Sequence, residues 1–133
     1  MKNFLANAEG VAMVEFAILA PLLVIIMVGS IDIGRYTWDE MQTSNAAHAA
    51  VQYAAQNITN TSNSAGILAA VNNDANVVYT ADEVSLAPLI QAPDGIGVLV
   101  KVTVSHSFST IINYYAIPQT ITMTHAAIQE MIP

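Results

Sequence analysis

Hydrophobic positions follow three different rhythms along this chain. From Phe16 to Ile31 there is no alternation, because every residue is uncharged and nearly all are apolar. Extended back to Gly10, the run admits one acid, Glu15. A helix needs about 20 predominantly apolar residues to cross a bilayer, so this stretch predicts a spanning helix over about 11–31. Further on the rhythm turns helical. Asn45, His48, Gln52 and Gln56 recur three or four residues apart as one polar stripe, set among Ala46, Ala47, Ala49, Ala50, Val51, Tyr53, Ala54 and Ala55. Alanine permits close approach, so the helix is expected to run on to about Asn57 and to lay its outer part against the chain's own sheet. At about 1.5 Å per residue, 11–57 makes a rod of roughly 70 Å.

The third rhythm has period two. Val98, Val100, Val102, Val104, His106 and Phe108 alternate with Leu99, Lys101, Thr103, Ser105, Ser107 and Ser109. That pattern predicts a strand that is apolar on one face and mostly polar on the other. Ile121, Met123, His125 and Ala127, alternating with Thr120, Thr122, Thr124 and Ala126, predict its partner. Between helix and strands lies a small-residue linker, Thr59 to Ser64. Ser64 is expected to cap a short helix over Ala65–Val71. Asn76–Thr80 and Glu83–Leu86 predict two more strands, the second ended by Pro88. Pro93-Asp94-Gly95 predicts a turn. The predicted fold class is α+β: a long N-terminal helix packed on an antiparallel sheet of three or four strands, divided as 1–10, 11–57 and 58–133. Ile111 to Pro118, apolar for a connection, is either tucked under the sheet or a contact patch for a neighbouring subunit or the membrane surface.

Composition narrows the function classes. Hydrophobic residues make up 54% of the 133 and charged residues 10%, against about a quarter charged in ordinary soluble domains. Three basic residues against ten acids leave a net charge of −7, which repels phosphates and argues against a nucleic-acid partner. With no cysteine there is no disulfide framework, thiolate metal site or cysteine nucleophile.

The apolar segment also resembles a signal peptide or a plain signal anchor, but two features oppose this. Asp32-Ile33-Gly34-Arg35 follows it where a small-residue cleavage site belongs. Glu15 sits inside it, where an acid costs roughly 2.5–3.5 kcal/mol on insertion scales. Lys2 precedes the span and a net negative flank follows (Asp32, Arg35, Asp39 and Glu40), so the N-terminus is expected on the cytoplasmic side and the remainder outside.

Gly10-Val11-Ala12-Met13-Val14-Glu15-Phe16, followed by an apolar helix containing Pro21, resembles a class III, type IV pilin-like leader. The run from Val14 to Leu23, then Gly34-Arg35 and the alanine-rich helix, is similar to the TadE family of pseudopilins and minor pilins of the tight-adherence (Tad/Flp) pilus. Val102 to Phe108 and the closing Thr122-Met123-Thr124 strand also fit that family. The resemblance implies a structural subunit of pilus assembly and surface adherence rather than an enzyme. It implies cleavage by a prepilin peptidase between Gly10 and Val11, with Glu15 becoming the fifth residue of the mature chain. Its expected partners are that peptidase, other pilin subunits, the Tad secretion machinery and the bacterial inner membrane, with no small-molecule substrate. Many relatives carry cysteines in the exported part and this chain has none, so no disulfide-dependent feature transfers. Under this resemblance Glu15 has a physical task. Val11 lies four residues earlier, one helical turn away, and the helix N-terminus favours negative charge. In a filament the family pairs this glutamate with the N-terminus of a neighbouring subunit. Pro21 removes one backbone bond and marks an expected bend, while Gly29, Ser30 and Gly34 permit close helix contact.

Other chemistry is sparse. His106 and His125 are expected as cross-strand neighbours, with His48 on the helix. Two strand histidines are more often packed and hydrogen-bonded than ligating, since a metal site needs three or four converging ligands. No metal or other cofactor is expected. There is no nucleophile elbow and no phosphate-cradling glycine loop. Two other readings stand beside the pilin one: an unprocessed single-span inner-membrane scaffold of the pilus machine, and a small anchored hydrolase.

Overall fold

A computed structural model describes residues 8–57, 63–87, 89–93, 95–111 and 119–131. Helix α1 runs unbroken from Ala8 to Gln56. The chain forms two compact units, Met1–Arg35 and Tyr36–Pro133, and α1 belongs to both.

In the first unit α1 exposes large apolar side chains on every side. Val11, Met13, Val14, Phe16, Ile18 and Leu19 cover all directions around the axis, and Leu22 to Met27 do so again. A helix apolar all round is not the one-sided stripe of a soluble surface helix. It is long and apolar enough to cross a membrane. Two side-chain bonds within this stretch are local. The Ser30 hydroxyl donates to the Ile26 carbonyl at 2.8 Å, and Arg35 Nη1 donates to Asp32 Oδ1 at 3.0 Å.

The second unit is built on the alanine face of α1. Thr43, Ala46, Ala47, Ala50, Val51 and Ala54 are buried, whereas Asn45, His48, Gln52 and Gln56 are exposed. The polar stripe therefore faces out, as its spacing predicts. Helix α2 spans Ser64–Asp74 and contributes Ile67 and Val71. Its cap is Asn63, whose side chain accepts from the Gly66 N–H at 3.0 Å, so Ser64 is the first helical residue and not the expected cap. Among the described residues a 3₁₀ turn, Ala81–Glu83, precedes four strands. These are β1 (Val84–Leu86), β2 (Ile90–Gln91), β3 (Val98–Ser109) and β4 (Thr120–Met131).

All pairings are antiparallel. Strand β3 is central, with β4 along one edge in continuous register from Val98↔Met131 to Ser109↔Thr120. Strands β1 and β2 share the opposite edge end to end. Val100, Val102, Val104, Phe108, Met123, Ala127 and Met131 point into the core. This is the α+β arrangement, and the alternation of 98–109 and 120–127 gives the correct inner face.

One expectation needs correction, and one strand was not expected. Asn76–Thr80 is not a strand: its residues form bends and irregular backbone, and only Tyr79 among them is buried. Ile90–Gln91 is a short strand with no period-two signal long enough to read. The expected turn at 93–95 agrees with Gly95 at φ 74° and with its N–H donating to the Ala92 carbonyl at 2.9 Å. Asp94, Pro88 and residues 112–118 of the apolar connection lie outside the described residues.

Candidate processing and assembly segment

The four residues singled out in the sequence all lie on the first unit of α1. Because the helix begins at Ala8, Gly10 and Val11 are already helical. Glycine in a helix interior is about 1 kcal/mol less favourable than alanine, so Gly10 weakens the turn around it. Val11 and Glu15 are four residues apart in continuous helix, which places them on one face in adjacent turns. Glu15 is exposed and Val11 is 43% exposed. In the uncut chain the Val11 nitrogen belongs to a peptide bond and carries no charge. A counter-charge for Glu15 arises there only when the Gly10–Val11 bond is broken.

Pro21 lies inside α1, which continues through it. Its ring removes the N–H that would bond the Ala17 carbonyl. Ala20 and Pro21 stand amid the exposed apolar surface, where a packed neighbour could supply the compensation that membrane helices use.

A second arrangement, missed in the sequence, holds the irregular 75–83 segment onto α1. Thr43 Oγ1 donates to the Asp39 carbonyl at 2.8 Å and receives the Tyr79 hydroxyl at 3.2 Å. Asn72 brackets Tyr79: its side-chain oxygen accepts the Tyr79 N–H at 2.7 Å and its Nδ2 donates to the Tyr79 carbonyl at 3.2 Å. Gln42 Oε1 accepts the Asn76 N–H at 3.2 Å. These side chains replace the ladder that a strand would have provided, so the backbone groups are satisfied without one. The Tyr79 ring meets His106 edge-on, with centroids 5.4 Å apart. His106 Nδ1 lies 3.0 Å from Glu83 Oε1, and Glu83 Oε2 accepts both the N–H and the hydroxyl of Thr80. The legible signal was Thr80-x-x-Glu83, a capping box.

Burial raises the Tyr79 phenol above its ordinary value, and the nearby Asp39 and Glu83 charges add to this against the opposing Thr43 bond. Partial burial pushes the Glu83 carboxyl up. The Thr80 N–H, His106 and the Thr80 hydroxyl outweigh it, so the net shift is downward. An ionised Glu83 requires the proton of the pair on His106 Nδ1. Structurally this network is a clasp.

The three histidines do not converge. His106 pairs across the ladder with Met123, not His125, which faces Val104. His125 Nε2 lies 3.9 Å from Glu40 Oε1, and His48 is exposed on α1. Among the described residues no group of three or more histidines or carboxylates could hold a metal ion.

Comparison with known families finds the TadE-like protein model matching residues 10–52. The match begins at Gly10, takes in Glu15 and Pro21, and ends inside α1. The resemblance read from the sequence is thus confirmed on the helix, while the strands lie beyond the match. No curated protein and no solved structure matches the chain.

Proposed function

We propose that this protein is a pilin-like structural subunit of a Tad-type pilus, anchored by the first part of α1 in the bacterial inner membrane with the 36–133 unit exported. One observation carries the reading: a helix apolar on every side bears a carboxylate one turn beyond Val11, inside a segment that matches the TadE-like proteins. A prepilin peptidase removes residues 1–10. The weak helical turn at Gly10 opens for the cut, and the new α-ammonium on Val11 meets Glu15 of the same or a neighbouring subunit. Two charges are neutralised in apolar surroundings, and the axial position of one helix against the next is fixed. Other pilin subunits and the Tad secretion machinery are the partners, and assembly rather than catalysis is the task.

The experiment is to shear surface filaments from piliated cells and probe them for this chain beside the membrane fraction. Its presence in filaments at a fixed ratio to the major subunit supports the pilin role. Its confinement to the membrane with an intact N-terminus would favour the unprocessed scaffold instead. The hydrolase reading calls for a serine bonded to a histidine–carboxylate pair. Here His106 and Glu83 are held by Tyr79 and Thr80, and the Ser105 hydroxyl donates to the Glu83 carbonyl at 3.4 Å.

A further inference from the structure

Strand β4 is an edge strand of unusual completeness. It pairs twelve residues with β3 without a bulge, and it contains no proline and a single ordinary charge, Glu130. The phase of its ladder is fixed by a bond just beyond it. Thr110 N–H donates to the Gln119 carbonyl at 3.1 Å, so that position is a hydrogen-bonded pair and the pairs alternate from there. The odd-numbered residues of β4 therefore bond β3. Thr120, Thr122, Thr124, Ala126, Ile128 and Glu130 turn their N–H and C=O groups the other way. The Ala87 N–H donating to the Lys101 carbonyl at 2.9 Å shows the matching phase on the far side of β3. All six outward residues also have exposed side chains, and among the described residues β4 pairs with β3 alone.

Natural sheets blunt such edges with short strands, prolines, lysines or bulges. The opposite edge does so: β1 and β2 have three and two residues and are separated by an interval containing Pro88. The β4 edge has none of these devices. We infer that the free edge of β4 is a strand-addition site, which takes an extended, β-branched segment of a different exported chain bearing a lysine or arginine opposite Glu130.

Charge selects a different chain over a second copy. The 36–133 unit has one base, Lys101, against seven acids (Asp39, Glu40, Asp74, Asp82, Glu83, Asp94 and Glu130), a balance of 1 − 7 = −6, so copies repel one another and a basic strand is attracted. That the partner is exported rests on the membrane-anchored reading; the strand-addition site rests on the sheet alone.

The test uses the full chain in detergent micelles, so its outcome does not depend on piliation. The probe is a synthetic peptide of alternating valine and threonine with a lysine at each end, N-methylated along one edge to stop it stacking on itself. Amide hydrogen exchange of Thr122, Thr124, Ala126 and Ile128 is expected to slow by about tenfold or more when it binds. A peptide methylated along both edges should leave exchange unchanged, and one ending in glutamates should protect less. Ala126→Pro removes an outward N–H and should abolish protection without lowering the thermal midpoint, whereas Ala127→Pro breaks a bond to β3 and should unfold the sheet. Outward amides already protected in peptide-free micelles would overturn the inference by showing the edge covered by the chain itself or a second copy. No slowing by the singly methylated lysine peptide would overturn it equally.

Discussion

Exchanging Glu15 for glutamine removes a charge from the apolar half of α1 without altering its shape. Insertion into the membrane should survive, because the span becomes more apolar. Cleavage should survive as well, since the substitution lies five residues beyond the scissile bond. What is lost is the partner of the new ammonium, and stranding one member of a buried charge pair typically costs about 3–5 kcal/mol. A cleaved, membrane-resident protein with few or no surface filaments is the expected outcome, checked by immunoblot of membranes beside a filament count. Glu83 offers a pH test on the exported unit. Its carboxyl is held below its ordinary value, so its contribution is present above the unfolded value near about 4.3 and is lost as pH falls through the lower folded value. Urea midpoints should decline on acidification below about pH 4, and Glu83→Gln should flatten that decline. Tyr79 is shifted the other way; its contribution holds below its unfolded value and is lost as pH rises through the folded one. At this scale the sequence was partly legible. The Thr80–Glu83 spacing was readable in principle, but the bond from Tyr79 to Thr43 joins residues 36 positions apart, and no local pattern announces it.

Among the elements, β3 and β4 were readable because period-two alternation over many residues has one explanation. The 76–80 segment misled because Val77 and Tyr79 alternate like a strand, yet only Tyr79 is buried and its backbone is held by the Asn72 side chain. Helix α2 was placed correctly but capped one residue too late, since Asn63 and Ser64 are both good caps and only geometry selects between them. The 92–97 turn depends on the left-handed backbone of Gly95. Gly95→Ala should therefore lower unfolding stability by roughly 1–2 kcal/mol without changing the register of β3 and β4, measured by denaturant titration and amide exchange. Gly66 is needed for a different reason. A Cβ there would meet the Tyr53 ring and the Asn63 amide, so Gly66→Ala must displace Tyr53 or loosen the α2 cap.

For the whole molecule, the distribution of apolar surface is the main fact. The 36–133 unit buries its alanine and valine faces in one core, while the other unit leaves its large apolar residues from Val11 to Met27 open. A chain so arranged needs a bilayer or a bundle of like helices, and the sequence announced this through the uncharged run alone. What it could not announce is a partner for Glu15, because under the proposed function the ammonium that would pair with it does not exist until the chain is cut. The central claim is tested most directly by the intact mass of the protein extracted from membranes of cells with an active prepilin peptidase. The expected mass is that of a chain beginning at Val11. It lacks Lys2 and Glu9, so two bases and nine acids remain and the net charge stays at 2 − 9 = −7. Gly10→Leu should restore the uncut mass. A chain that retains residues 1–10 in such cells would contradict the account.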